Sequence, residues 1–223
     1  MQRIPEEELM TESAQARAYA AADFDEPHSA FIKLFQEVFG DRLPGSTVID
    51  LGCGPGDITF RFARAYPQCI VHGVDGSDAM LAEARRLLAR TPDLAGRVLF
   101  IKGMLPDIVP PLPQYDVVIS NSLLHHLSDP QVLWKTITCC ASPGAAVFVV
   151  DLKRPESPAE AQRLTERYCS KEPEILQRDF YNSLCAAFEP SEIRDQLQTA
   201  GLNSFIVREI SDRHVMIAGI MRS

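Results

Sequence analysis

Residues 48–59, VIDLGCGPGDIT, decide how this chain is read: an apolar, β-branched run carries an acid, Asp50, and then breaks into Gly52, Gly54 and Gly56 before a helical pattern begins. Glycine takes positive φ without a Cβ clash and lets backbone approach a ligand closely, so the order of residues dictates a strand, a sharp turn and a helix. A second such unit follows. QCIVHGVDG (68–76) is an apolar strand ending in Asp75 and Gly76, and the next pattern, from Ser77 to about residue 90, places Met80, Ala84, Leu87 and Leu88 on one helical face. GRVLFIKG (96–103), YDVVISNS (115–122) and SPGAAVFVVDL (142–152) supply three more strands. Between them, Ile58, Phe62 and Tyr66 mark one inner helix face, and Leu133, Ile137 and Cys140 mark another that starts at Asp129 and Pro130 as cap and first-turn proline. Strands that alternate with helices predict an α/β parallel sheet wrapped on both faces, because parallel strands need crossover connections.

The rhythm breaks after Leu152. Residues 153–189 hold two helical patterns, PAEAQRLTERYC and PEILQRDFYNSLCAAF, with no strand between them. A helix ended by Gly201 and two closing strands, SFIVREIS and HVMIAGIMR, complete the chain. The 153–189 segment is therefore a helical insertion at the C-terminal end of the fifth strand, the edge of an open α/β sheet where ligands bind. At the other end, residues 1–40 are expected to form a helical arm or lid, with Phe31, Leu34, Phe35 and Val38 as an apolar stripe, leaving 41–223 as the main domain.

Composition removes several classes. The 223 residues carry a formal net charge of −8, which weighs against a nucleic-acid partner bound through clustered lysine and arginine. The longest apolar runs are too short to span a bilayer, and the acidic MQRIPEEELM is unlike a secretory signal, so a cytoplasmic protein is expected. Six cysteines without a CxxC pair read as thiols rather than a disulfide framework or zinc site.

The glycine spacing is GxGxG, not GxGxxG, and Asp50 would repel a pyrophosphate docked at the following helix. Both features favour a compact cofactor with a cationic amino-acid end over a nicotinamide dinucleotide. At these residues the chain resembles the class I S-adenosylmethionine-dependent methyltransferases: VIDLGCGPGDIT is similar to their first motif, VHGVDGS to the second, and YDVVISNSLLHHLSDP to the fourth with the helix beyond it. SPGAAVFVVDL is similar to the turn and strand that come next, so the likeness spans residues 45–152. It implies a Rossmann-like, mainly parallel seven-stranded sheet and S-adenosyl-L-methionine as cofactor. It further implies that Gly52, Cys53, Gly54 and Gly56 pass under the methionine part, with Asp50 near the amino group. Asp75 would hold the ribose, Gly76 and Met80 would border the adenine, and Asn121, Ser122 and Leu123 would meet the methionine end. One position departs from the family: Met104 stands where an acid often binds the adenine amino group, so backbone of Gly103 and Met104 with the thioether is expected there.

Each assignment has a plainer counterpart. Asp50 could cap a helix, and Cys53 could be only a small turn residue. Tyr19, Asp23 and Phe24 belong either to a lid, where an aromatic ring would favour a sulfonium, or to a simple arm. His125 and His126 are adjacent and expected to face different ways, so no metal site is expected; His125 and Tyr181 are the candidate bases. Arg154, Tyr181 and Asn182, polar groups of the insertion, are the candidate acceptor contacts, and Phe180, Leu184 and Phe188 are a packing stripe. The expected activity is methyl transfer to a small-molecule acceptor by a monomer or homodimer. A cofactor-binding subunit or sensor without catalysis, and a tRNA or protein methyltransferase, remain the alternatives.

Overall fold

The computed structural model describes all residues except 7, 8, 42, 44 and 223. Strands β1 (Thr47–Leu51), β2 (Ile70–Asp75), β3 (Val98–Lys102), β4 (Tyr115–Asn121), β5 (Ala141–Leu152), β6 (Ile206–Glu209) and β7 (His214–Ile220) form one seven-stranded sheet in the order β3-β2-β1-β4-β5-β7-β6. The first five strands run parallel, and β7 pairs antiparallel with both β5 and β6. Helices cover both faces, which is why β1, β4 and β5 are nearly continuous apolar runs. The helices are α1 (Ser13–Ala21), α2 (Asp25–Phe39), α3 (Asp57–Ala65), α4 (Asp78–Leu88), α5 (Gln131–Cys140), α6 (Pro158–Cys169), α7 (Glu174–Ala186) and α8 (Pro190–Thr199).

One core layer is aromatic: Phe31 and Phe35 of α2 meet Phe62 and Tyr66 at the end of α3 and Phe148 of β5, with edge-on ring contacts. The opposite layer joins Trp134 and Ile137 of α5 with Tyr115, Val118, Ile193 and Leu197, and the Trp134 indole N–H donates to Gln196 Oε1 at 3.1 Å. Helix α2 is thus part of the sheet's own packing. Within the expected arm of residues 1–40, α2 packs into the core through Phe31 and Phe35.

Two boundaries differ from the sequence reading. β5 begins at Ala141 directly after α5, with Gly144 at φ +84° and a register shift against β4 taking the place of the expected turn. α5 starts one residue later than expected: Pro130 caps it, and the Asp129 carboxylate accepts from the Gln131 N–H at 2.9 Å. Helices α6 and α7 pack on each other through a small separate core containing Leu152, Ala161, Leu164 and Leu184. No described helix is long and apolar enough to cross a membrane.

Candidate active site

The sheet order reverses between β1 and β4, and the crevice at their C-terminal ends is where open α/β sheets bind ligands. A cavity of about 970 Å³ lies there. Its floor is the glycine turn after β1 and the ends of β2, β4 and β5; α6 and α7 form one wall, and the N-terminal segment forms the roof. Its volume is at the upper end for small-molecule sites, which leaves room for more than one ligand.

Three strands deliver a carboxylate to this edge, buried at Asp50 and Asp151 and partly buried at Asp75. Asp50 of β1 is 1% exposed and accepts from the Thr59 hydroxyl at 2.6 Å, and burial pushes its pKa up to about 7. Asp75 ends β2; its carboxylate accepts from the Gly54 N–H and the Ser77 N–H, both at 2.8 Å, while burial raises its pKa. Asp151, near the end of β5, accepts from the Leu124 N–H at 2.7 Å and pairs with His125 Nδ1 at 2.6 Å. Burial alone would raise Asp151, but His125 and the N–H groups of Leu124 and Leu152 outweigh it and hold it low.

The glycine turn is built for closeness. Gly52 and Gly54 have φ of +73° and +53°, and a Cβ on Gly52 would run into Leu123 at 2.8 Å. At Gly54 a Cβ would meet no atom within 4 Å, so the space a side chain would occupy is open cavity. Cys53 is buried, and burial pushes its thiol well above the ordinary range, as for a small packed turn residue. Gly56 also has positive φ, but it does not line the cavity: its missing Cβ makes room for Phe100 and Phe60, so its role is packing of α3 on the sheet.

Gly76, Met80, Gly103 and Met104 line one end of the cavity, and the Met104 thioether lies against Gly76. Asn121, Ser122 and Leu123 line the other. Ser122 holds φ +56°, an uncommon conformation for a residue with a side chain, anchored by its N–H bond to Val150 at 2.9 Å. The roof consists of Leu9, Met10, Tyr19 and Phe24; Met10 accepts from the Ser77 hydroxyl, and the Tyr19 and Phe24 rings sit 4.8 Å apart. Burial and nearby Asp57, Asp75 and Asp151 push the Tyr19 phenol up to about 12. Arg3 pins the strand of chain leading to this roof, donating to the carbonyls of Ala186, His125 and Leu127 and stacking on Phe188 at 4.0 Å.

His125 is 2% exposed and lines the cavity. With Nδ1 held by Asp151, its Nε2 points toward Glu6, 3.5 Å away. Burial opposes protonation, yet Asp151 and Glu6 prevail and raise its pKa. His126 does not diverge as adjacency had implied: the 3₁₀ turn Leu124–His126 sets the two rings 4.2 Å apart, and His126 Nδ1 lies 3.1 Å from the same Glu6 oxygen.

The three expected acceptor contacts lie elsewhere. Arg154 is 7% exposed and is spent on Glu189 and Glu192, at 2.9 Å each, tying the end of β5 to the start of α8. Tyr181 packs on the α6–α7 core and Asn182 is exposed; neither lines the cavity. Helix α7 instead turns Leu176, Asp179, Phe180 and Ser183 inward. Asp151, Thr59, Ser77 and Glu6 were not singled out from sequence. Asp151 had a signal, since VVDL repeats the strand-ending acid of VIDL and GVDG; Glu6 had none, because its position depends on a non-local fold of the N-terminal segment.

Residues 49–147 match the family model described as a methyltransferase domain. The chain is 32% identical over 126 residues to a trans-aconitate 2-methyltransferase of Methylobacterium nodulans, covering 56% of this chain and 45% of that protein. It is 38% identical over 95 residues to the trans-aconitate 2-methyltransferase of Mycobacterium ulcerans, covering 40% and 32%. The chain thus spans less than half the length of these curated relatives. Among solved structures, a SAM dependent methyltransferase from Aquifex aeolicus superposes with a TM-score of 0.68 over 95% of this chain and 100% of that one at 18% identity. The plantazolicin methyltransferase BpumL, solved with a desmethylPZN analog and SAH, gives 0.69 over 95% and 90% at 14% identity.

Proposed function

We propose that the chain is a class I S-adenosylmethionine-dependent methyltransferase that transfers the methyl group of S-adenosylmethionine to a small-molecule acceptor held between the sheet edge and α7. The observation that carries this reading is the convergence of the glycine turn, Asp50 and Asp75 on a single cavity with room for cofactor and acceptor together. The residues present fit the cofactor: the open space at Gly54 and the buried acid at Asp50 suit a compact ligand with a cationic amino-acid end. When bound, S-adenosylmethionine supplies an activated methyl group on a sulfonium.

The chain's own residues have distinct tasks. Asp75, already braced by Gly54 and Ser77, accepts from the ribose hydroxyls, and Asp50 faces the amino group. Gly76, Met80, Gly103 and Met104 border the adenine; Asn121, Ser122 and Leu123 border the methionine end. Tyr19, with Phe24 behind it, closes the roof and presents an aromatic face, so water is excluded and the reactants are held in line. Acceptor positioning passes from Arg154, Tyr181 and Asn182 to Asp179, Phe180 and Ser183 of α7. His125, oriented by Asp151, is the group placed to take a proton where the acceptor must lose one.

Charge narrows the acceptor. Among the described residues no lysine lines the cavity, and its arginines are committed: Arg61 to Asp57 and Asp25, Arg86 to Glu83, and Arg213 to Asp212 and the Tyr168 ring. Asp179 and Glu172 add negative charge to the walls. This lining suits a neutral or cationic acceptor better than a polyanion such as trans-aconitate. The test is a mass-spectrometric assay with S-adenosylmethionine and a panel of amines, phenols, monocarboxylates and trans-aconitate. A methylated amine or neutral product is expected; efficient methylation of trans-aconitate in preference to these would refute the charge argument, and the absence of S-adenosylhomocysteine binding would refute the reading as a whole.

A further inference from the structure

A cluster on the cavity wall gives His125 Nε2 a use other than the proton transfer proposed above, and the two uses exclude each other at any one time. There Glu6 Oε1 lies 3.1 Å from His126 Nδ1 and 3.5 Å from His125 Nε2, and the three atoms fall within 4.8 Å of one another. They arrive from different parts of the chain. The histidines sit on the 3₁₀ turn after β4, and Glu6 is placed by the Arg3 anchor just upstream and by the Ser183 hydroxyl, which donates to it at 2.9 Å.

The distances and the lone pairs both bear on what the cluster holds. Two ligands about 2.0–2.1 Å from a tetrahedral zinc ion stand about 3.4 Å apart, close to both measured edges. The His125–Glu6 separation of 3.5 Å is, by contrast, longer than a well-formed N–H···O bond of about 2.7–3.2 Å. The Asp151 carboxylate holds His125 Nδ1 at 2.6 Å, which turns Nε2 toward Glu6. A carboxylate on the far nitrogen of a histidine is also the arrangement that orients metal-bound imidazoles. His125, His126 and Ser183 line the cavity, so a fourth position would open toward the acceptor.

We propose that Glu6, His125 and His126 form a binding site for a zinc-class divalent cation, with Asp151 and Ser183 orienting its ligands and one coordination position open to the cavity. Imidazole nitrogens with one carboxylate select zinc and its neighbours over magnesium or calcium, which favour all-oxygen sites. Such a cation would offer a single positive centre for an acceptor oxygen or sulfur in a cavity whose arginines are already paired.

The test uses the full chain stripped with a chelator and titrated separately with Zn²⁺ and Co²⁺. One equivalent of Zn²⁺ is expected to bind, and bound Co²⁺ is expected to show the visible absorption of a four-coordinate nitrogen–oxygen site without a thiolate charge-transfer band. Glu6→Gln and His126→Gln, on separate elements, should each weaken Zn²⁺ by at least about tenfold while the metal-free thermal transition stays cooperative. Failure to bind one equivalent, a thiolate band pointing to the cysteines, or affinity unmoved by either substitution would overturn the proposal. The cobalt spectrum of the unsubstituted protein decides even if a variant fails to fold.

Discussion

Asp50 makes cofactor affinity pH-dependent in a direction that can be worked out. In the ligand-free protein burial holds its pKa up to about 7, against 3.8 for an unperturbed group. A bound ammonium beside it favours the carboxylate, so protonation and ligand compete. Affinity then falls by a factor of 1 + 10^(pKa−pH), which is about 11 at about pH 6 and about 1.3 at about pH 7.5. S-adenosylhomocysteine should therefore bind about eightfold more weakly at the lower pH, a difference of about 1.2 kcal/mol. Calorimetry in two buffers of unlike ionisation enthalpy should also register release of about 0.9 proton per ligand at about pH 6 and about 0.2 at about pH 7.5. Asp50→Asn should bind more weakly at the higher pH and lose this component of the slope. A wild-type affinity that is flat over this range, or proton uptake on binding, would refute the placement of Asp50 against the amino group.

The same group has a stability signature. Because its folded pKa lies above the unfolded value, ionisation of Asp50 destabilises the ligand-free fold increasingly as pH rises from about 4 to about 7. Ligand-free Asp50→Asn should melt higher than wild type at about pH 8, with the gap narrowing on acidification in scanning calorimetry. Asp75→Ala removes a carboxylate that braces Gly54 and Ser77, and S-adenosylhomocysteine affinity should drop by about 1.5–3 kcal/mol in titration calorimetry. Arg154→Ala should lower unfolding free energy in urea by about 1.5–3 kcal/mol through loss of Glu189 and Glu192, with ligand affinity unchanged within about twofold. Arg3→Ala frees the segment that carries the roof, so limited proteolysis before Ser13 should accelerate and ligand affinity should fall.

The sheet was legible because its signals are local. β1, β2 and β4 are apolar runs of parallel-strand length, closed by acids or small polar residues, and the positive-φ glycines sit where the chain must turn. Asp75 could be placed from sequence since a strand's end position follows from its length. What sequence does not show is where long-range contacts send polar groups. Arg154 looked available, but the capping box of α8 brings Glu189 and Glu192 onto it across the chain. Tyr181 and Asn182 were assigned to the cavity on residue type alone, and helix phase decided otherwise by turning Phe180 and Ser183 inward. Adjacent His125 and His126 converge because a 3₁₀ turn, not a strand, carries them, and Glu6 joins them only once Arg3 docks on the backbone after β4.

Binding of S-adenosylmethionine in the cavity at the β1–β4 switch point is the expectation on which the other outcomes rest. It is tested most directly by titrating the protein in parallel with S-adenosylmethionine, S-adenosylhomocysteine and NADH, with Asp75→Ala alongside. Saturable binding of the first two at one site, weakened by Asp75→Ala, and no binding of NADH is the expected result; binding of NADH alone, or of none of the three, would contradict it.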